Sequence, residues 1–115
     1  MALSIHTITY PVHDLEAAKA FYTTLLGTQP YADSPYYVGF RPEGSTEVGL
    51  DPHGHAQGMT GPVTYFTVPD INEALAALVA AGAKEQQAVK DVGGGNLIAR
   101  VQDADGNITG LFQAA

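Results

Sequence analysis

The chain repeats itself. Thr7-Ile8-Thr9-Tyr10-Pro11-Val12-His13-Asp14-Leu15 runs into Glu16-Ala17-Ala18, and 56 positions later Val63-Thr64-Tyr65-Phe66-Thr67-Val68-Pro69-Asp70-Ile71 runs into Asn72-Glu73-Ala74. Few residues are identical, yet the order of physical types is kept: a β-branched and aromatic run, then Val-x-Asp, then a helix-forming stretch. Two copies are too few for a solenoid, so the repeat predicts two half-modules on one core. In 115 residues this makes one domain, with module one at about 1–52, a linker at about 53–61 and module two at about 62–115.

Both predicted helices carry their own start signals. Asp14 and Asp70 can accept hydrogen bonds from the free N–H groups of a first turn, and Glu73 follows Asp70 as in a capping box. Leu15, Ala18, Phe21, Tyr22, Leu25 and Leu26 recur at helical spacing, as do Ile71, Ala74, Leu75, Leu78 and Val79. Gly27 and Gly82 mark the ends. Each apolar stripe is one-sided, so each helix should lie on a sheet. Phe21, Tyr22 and Phe66 are assigned to the packing between helix and sheet.

The remaining apolar runs are short and bounded by turn residues. Strands are predicted at Tyr36 to Phe40, Glu47 to Leu50, Ala83 to Val89, Asn96 to Val101 and Ile108 to Phe112. The first two join through Pro42-Glu43-Gly44-Ser45. The last two join through Asp103-Ala104-Asp105-Gly106-Asn107, where Asp-Gly signals a tight hairpin. Asp51 to Pro62 is rich in Gly, Pro and His and reads as the linker. The fold class is α+β, β-α-β-β-β twice, with helices on one side of each sheet.

Composition removes several function classes. There is no Cys, so disulfides, thiolate metal sites and a cysteine nucleophile are out. Five Lys and Arg against twelve Asp and Glu give a formal charge of −7. Five cations cannot coat a phosphate backbone, and an acidic membrane surface would repel the chain, so neither nucleic acid nor membrane is an expected partner. No stretch approaches the ~18 apolar residues of a membrane span. Met1 to His6 carry no basic stretch followed by an apolar one, so a secretory leader is not expected and the cytoplasm is the expected location. Gly93-Gly94-Gly95 lacks the Gly-Lys-Ser/Thr ending of a phosphate loop, and no Gly-x-Ser-x-Gly elbow occurs.

Two stretches carry a family resemblance. Val12-His13-Asp14-Leu15, with Phe21-Tyr22 and Leu25-Leu26-Gly27, and Asp103-Ala104-Asp105-Gly106-Asn107, with Gly110-Leu111-Phe112, resemble the vicinal oxygen chelate superfamily, the glyoxalase/bleomycin-resistance/dioxygenase group. Ala104 departs from the family's usual Pro. The resemblance spans nearly the whole chain and implies two βαβββ modules forming a curled mixed sheet cup, helices on the outer face, with the ligand or metal in the cup. It also implies a homodimer.

Members resembling glyoxalase I hold a metal with four residues, each His, Gln or Glu. The resemblance places those positions at Thr7, Gly49, Val63 and Gly110. Gly and Val offer no side-chain donor and Thr is a poor one, so no metal and no other cofactor is expected. His6 reaches the same side only if the strand slips by one residue. Asp51 shares parity with Gly49 and supplies at most one carboxylate. Asp51-x-His53-x-His55 lies in the linker and reads as solvated.

By strand parity, Tyr65 and Thr67 join Val63, and Phe112 joins Gly110. Tyr37, or Tyr36 in the other register, faces the same space. The ligand-binding set is therefore Thr7, Tyr37, Gly49, Asp51, Val63, Tyr65, Thr67, Gly110 and Phe112. Tyr, Phe, Val and Gly suit a partly apolar small molecule, cationic or aromatic, and the glycines would leave room for it. No catalytic residue is identified. The leading expectation is a metal-free small-molecule binder. A metal-dependent lyase, isomerase or dioxygenase resembling glyoxalase I would need His6, Asp51 or the linker histidines as ligands. A metal-free enzyme would use Tyr65 or a rim Asp as its acid–base group. An interaction module would use an exposed sheet edge.

Overall fold

The computed structural model describes residues 4–42 and 46–115. Glu43, Gly44 and Ser45 of the first predicted turn lie outside these, as do Met1, Ala2 and Leu3. The element order is β1 (Ile5–Pro11), α1 (Leu15–Leu26), β2 (Ala32–Ser34), β3 (Tyr37–Phe40), β4 (Glu47–Asp51), a 3₁₀ turn (His55–Gln57), β5 (Val63–Thr67), α2 (Ile71–Ala80), β6 (Lys84–Asp91), β7 (Leu97–Gln102) and β8 (Ile108–Gln113). The chain is α+β and each half reads β-α-β-β-β. It divides into two compact units, one of His6–Val63 and one of Thr64–Ala115 together with the chain up to Ile5. The predicted linker thus falls within the first unit.

In the first unit the strand order is β2-β3-β4-β1. β1 runs parallel to β4, pairing Thr7 with Glu47 and Thr9 with Gly49, and β3 runs antiparallel to β4. Val38, Phe40 and Leu50 are fully buried and pack with Tyr10, Val48 and the α1 residues Leu15, Ala18, Tyr22 and Leu26. Strand side chains alternate, so Thr7, Thr9, Tyr37, Gly39, Glu47, Gly49 and Asp51 stand on the face without the helix. β2 has only three residues and no pattern to betray it; Lys19 Nζ on α1 meets Asp33 Oδ2 on β2 at 2.6 Å.

In the second unit the order is β5-β8-β7-β6. β5 runs parallel to β8, β7 antiparallel to β8, and β6 antiparallel to β7 with register shifts between Glu85 and Gln87 and between Gln87 and Lys90. Val68, Ile71, Leu75, Ala99, Val101 and Leu111 form the core, flanked by Ala74 and Leu78 of α2. Tyr65, Thr67, Arg100, Gly110 and Phe112 have the opposite parity. The β7–β8 connection is a five-residue loop, wider than a tight two-residue hairpin. Asp103 N–H donates to Asn107 O at 2.9 Å, and Asp103 Oδ1 accepts from the N–H groups of Asp105 and Asn107.

Both helices start as their sequences dictate. Asp14 Oδ1 accepts from Ala17 N–H at 3.0 Å and Asp70 Oδ1 from Glu73 N–H at 3.1 Å. The buried stripes are narrower than predicted. Phe21 is 62% exposed and Leu25 64%, and Val79 is also exposed. Each residue advances about 100° around a helix, so neighbours such as Phe21 and Tyr22 cannot both face one sheet. Tyr22 takes the sheet side, and Phe21 rests edge-on against it with ring centroids 5.0 Å apart. Among the described residues no helix is long and apolar enough to cross a membrane.

Candidate functional site

The helix-free face of the first unit is built around Glu47. It opens β4 opposite Thr7, and the residue is only 6% exposed. A carboxylate at that depth is tolerated only when hydrogen-bonded. Its Oε2 accepts from the hydroxyl of Tyr37 and its Oε1 from the hydroxyl of Tyr31. The Arg41 guanidinium lies 3.6 Å from Oε1 and its Cζ stands 4.2 Å from the centroid of the Tyr31 ring. Burial, and then the hydrogen bond to Glu47, push the Tyr37 hydroxyl far above the ordinary phenol range. The same two causes raise Tyr31. Both phenols therefore stay protonated donors at neutral pH.

Gly49 explains how Tyr37 reaches Glu47. A methyl group at Gly49 would overlap Tyr37 Oη and stand 2.7 Å from Cζ and 2.8 Å from Cε1. The ring lies directly over the glycine.

The second unit repeats the device with the charge reversed. Tyr65 pairs with Gly110 across β5 and β8, and a methyl group at Gly110 would stand 2.5 Å from Tyr65 Cε2 and 2.6 Å from Cγ. The Tyr65 hydroxyl accepts from Arg100 Nη1 at 3.1 Å, and Arg100 Nε donates to Gln86 Oε1 at 2.6 Å. Arg100 is 3% exposed. In each unit, then, a tyrosine ring covers a glycine and its hydroxyl bonds a buried charged side chain. The expectation that the glycines leave room for a ligand is corrected: a tyrosine ring of the same unit takes the space over each.

The other sequence-predicted residues sort by unit. Thr7 and Val63 are buried in the first unit, and Asp51 is half-buried there. The Asp51 carboxylate accepts from His53 N–H at 2.8 Å, which commits it to the turn. Thr67 and Phe112 are half-buried partners across β5 and β8. The linker rings are exposed and stacked: His55 lies on His13 with centroids 3.9 Å apart and planes 4° apart, and His53 faces Tyr36 at 6.4 Å. Sequence reasoning missed Glu47, Tyr31, Arg41, Arg100 and Gln86 as members of these faces. For Glu47 a signal existed, since it is a charge sharing parity with Gly49 on the same strand; Arg100 meets Gly110 only through the β7–β8 register.

The positions that would hold a metal in members resembling glyoxalase I do not fit one. Tyrosine rings cover Gly49 and Gly110, Val63 has no donor, and Thr7 offers a neutral hydroxyl already hydrogen-bonded with His6 Nδ1 at 2.5 Å. Among the described residues no group of three or more His, Cys, Asp or Glu converges to hold an ion.

His6, of opposite strand parity to Thr7, still senses the charges of Glu47 and Arg41. Burial lowers its pKa from 6.5, with Glu47 opposing and Arg41 adding to the shift. The folded state thus binds a proton less readily than the unfolded one. Its contribution is complete above pH 6.5 and shrinks as pH falls from 6.5 through the folded value. Urea unfolding across that window should show stability falling with pH in the wild type and a flatter profile in His6→Gln. Equal slopes in the two proteins would remove His6 as the cause.

Two βαβββ units, each with a helix on one face of its strands, are the architecture of the vicinal oxygen chelate proteins. The chain belongs to the Glyoxalase/Bleomycin resistance protein/Dioxygenase superfamily, whose family model matches residues 4–110. No curated relative matches the sequence. Among solved structures it is similar to a glyoxalase/bleomycin resistance protein/dioxygenase superfamily member from Vibrio splendidus 12B01, with TM-score 0.73 and 18% identity over 98% of this chain and 100% of that one. A methylmalonyl-CoA epimerase from Streptomyces coelicolor, in complex with 2-nitronate-propionyl-CoA, aligns with TM-score 0.72 and 18% identity over 99% of each chain. A Mn(II)-bound glyoxalase from Novosphingobium aromaticivorans aligns with TM-score 0.68 and 22% identity, over 95% of this chain and 38% of that one. At these identities the likeness carries the fold and no activity.

Proposed function

We propose that this protein binds a small organic molecule without a metal on a helix-free strand face, that of Thr7, Tyr37, Gly49 and Asp51 in one unit or that of Tyr65, Thr67, Gly110 and Phe112 in the other. The observation that carries this reading is the pair of tyrosine-over-glycine arrangements at family metal positions. They replace donors with aromatic surface and fixed hydroxyls, which suits recognition of an aromatic or cationic organic group. The complex of a protein of similar fold with 2-nitronate-propionyl-CoA supports a small-molecule role for this fold. The formal charge of −7 favours a cationic ligand. As a family analogy, we assign the protein a homodimeric state.

Two measurements test the reading together. After incubation with nickel, zinc, manganese or iron and dialysis, mass spectrometry should find far less than one ion per chain. Calorimetric titration with a panel of aromatic and cationic metabolites should give at least one saturable isotherm that Tyr37→Ala weakens. About one tightly held ion per chain, lost in His6→Ala or Asp51→Ala, would replace this reading with a metal-dependent one. Silence across the panel would count against a binder.

A further inference from the structure

We infer that Arg41 is an internal stand-in for the ligand's own cationic group: the Tyr31 ring and the Glu47 carboxylate form a receptor for a guanidinium or quaternary ammonium, and Arg41 occupies it until a ligand displaces it. This deepens the proposed function and rests on it only for the assignment of the ligand to this face.

The arrangement has the parts that organic cations require. A cation over an aromatic face gains from the ring's quadrupole, and a nearby carboxylate adds charge attraction. Arg41 takes both, 4.2 Å from the Tyr31 centroid and 3.6 Å from Glu47 Oε1. Burial is lopsided. The Arg41 side chain is 48% exposed while that of Glu47 is 8% exposed. The anion is buried in the fold and the cation stands half in solvent. The separation of 3.6 Å exceeds that of a strong charge-assisted bond, about 2.7–2.9 Å.

Displacing Arg41 would give up its contacts with Tyr31 and Glu47 and leave the strand pairing intact. It lies just beyond β3, outside the paired register Val38↔Leu50, Gly39↔Gly49, Phe40↔Val48, so the strand ladder survives its departure. Glu47 would keep its two phenol donors. Those donors are neutral and leave the carboxylate's charge in place, so an incoming cation restores the balance that Arg41 leaves. The receptor selects a large, soft cation over a metal ion. It presents one carboxylate whose oxygens already accept hydrogen bonds, beside an aromatic face.

Benzylguanidine and its neutral isostere benzylurea test the inference by calorimetric titration into the wild type, Arg41→Ala and Arg41→Gln. Both variants should bind benzylguanidine about tenfold more tightly than the wild type, as expected of a position self-occupied about nine-tenths of the time. Benzylurea should not gain. Adding Glu47→Gln or Tyr31→Leu to Arg41→Ala should abolish the gain, with thermal melting confirming that each variant is folded. No gain in either Arg41 variant would overturn the stand-in, and so would an equal gain for benzylurea, which would mean only that space had opened. If the metabolite panel still gives a saturable isotherm in the wild type, small-molecule binding stands and the cation receptor alone has failed.

Discussion

Gly110→Ala should lower stability by about 1–3 kcal/mol, the usual cost of forcing a carbon into a packed interior. For a domain of this size that is on the order of 5–15 °C in Tm. The new Cβ would stand 2.5 Å from Tyr65 Cε2 and 2.6 Å from Tyr65 Cγ. Cγ is the root of the ring, so the side chain cannot escape by swinging its far end; the backbone of β5 or β8 must give. Tyr65 is 6% exposed, and its hydroxyl accepts a hydrogen bond from the buried Arg100. A ring pushed aside would therefore strand a buried guanidinium's partner as well. At Gly49 the atoms met are Tyr37 Oη, Cζ and Cε1, the far end of a side chain, so Gly49→Ala should cost less than Gly110→Ala. Circular-dichroism melts of the two variants give the ranking. Tyr65→Ala introduced into Gly110→Ala removes the clashing Cγ and ring atoms, so the double variant should lose less than the sum of the single losses. A Gly110→Ala protein that melts with the wild type would show that no ring covers the glycine.

Strand parity read from the sequence reaches far at these positions and then stops for an identifiable reason. Val12-x-Asp14 and Val68-x-Asp70 give the helix starts, and both aspartates cap as their chemistry requires. Alternation places Thr7, Tyr37, Gly49 and Asp51 on one side of their strands, opposite Val38, Phe40 and Leu50. What parity cannot give is cross-strand register. Gly49 reads as an emptied position because a glycine has no side chain. The ring that fills the space comes from β3, whose pairing of Gly39 with Gly49 no local pattern announces. Tyr65 over Gly110 depends in the same way on the β5–β8 register.

Buried charge fails for a different reason. Hydrophobic patterning sends Glu47 and Arg100 to the surface, and partners such as the phenols, the Arg41 guanidinium and the Gln86 amide stabilise their burial. The helices err in the opposite direction. Phe21 and Leu25 are apolar and at helical spacing, yet the sheet accepts only the arc through Leu15, Ala18, Tyr22 and Leu26.

Glu47→Ala should be the costliest polar substitution in the first unit. It removes the acceptor for a half-buried phenol, Tyr37, and for a more exposed one, Tyr31. A hydrogen bond to a charged group contributes about 1.5–3 kcal/mol, and leaving a buried donor unsatisfied costs a similar amount. The Tyr37 bond dominates, because Tyr31 is 52% exposed and can turn to water. A loss of about 2–3 kcal/mol is therefore expected. Glu47→Gln should lose less, since the amide oxygen still accepts from Tyr37. A second readout separates this network from simple packing. The Tyr37 hydroxyl is held far above 10.0 by burial first and by Glu47 second. A phenol whose folded pKa is raised contributes stability that is complete below the unfolded value and is lost as pH rises beyond it. The wild type should therefore lose stability above pH 10.0, where the unfolded chain releases a proton that folded Tyr37 keeps. Without Glu47 the folded value drops while burial keeps it raised, so the alkaline slope persists over a narrower pH range. Ultraviolet titration of tyrosinate, with urea melts at matched pH, tests both. A variant with an unchanged tyrosine titration would sever Tyr37 from Glu47 and leave the polar face of the first unit without its organising charge.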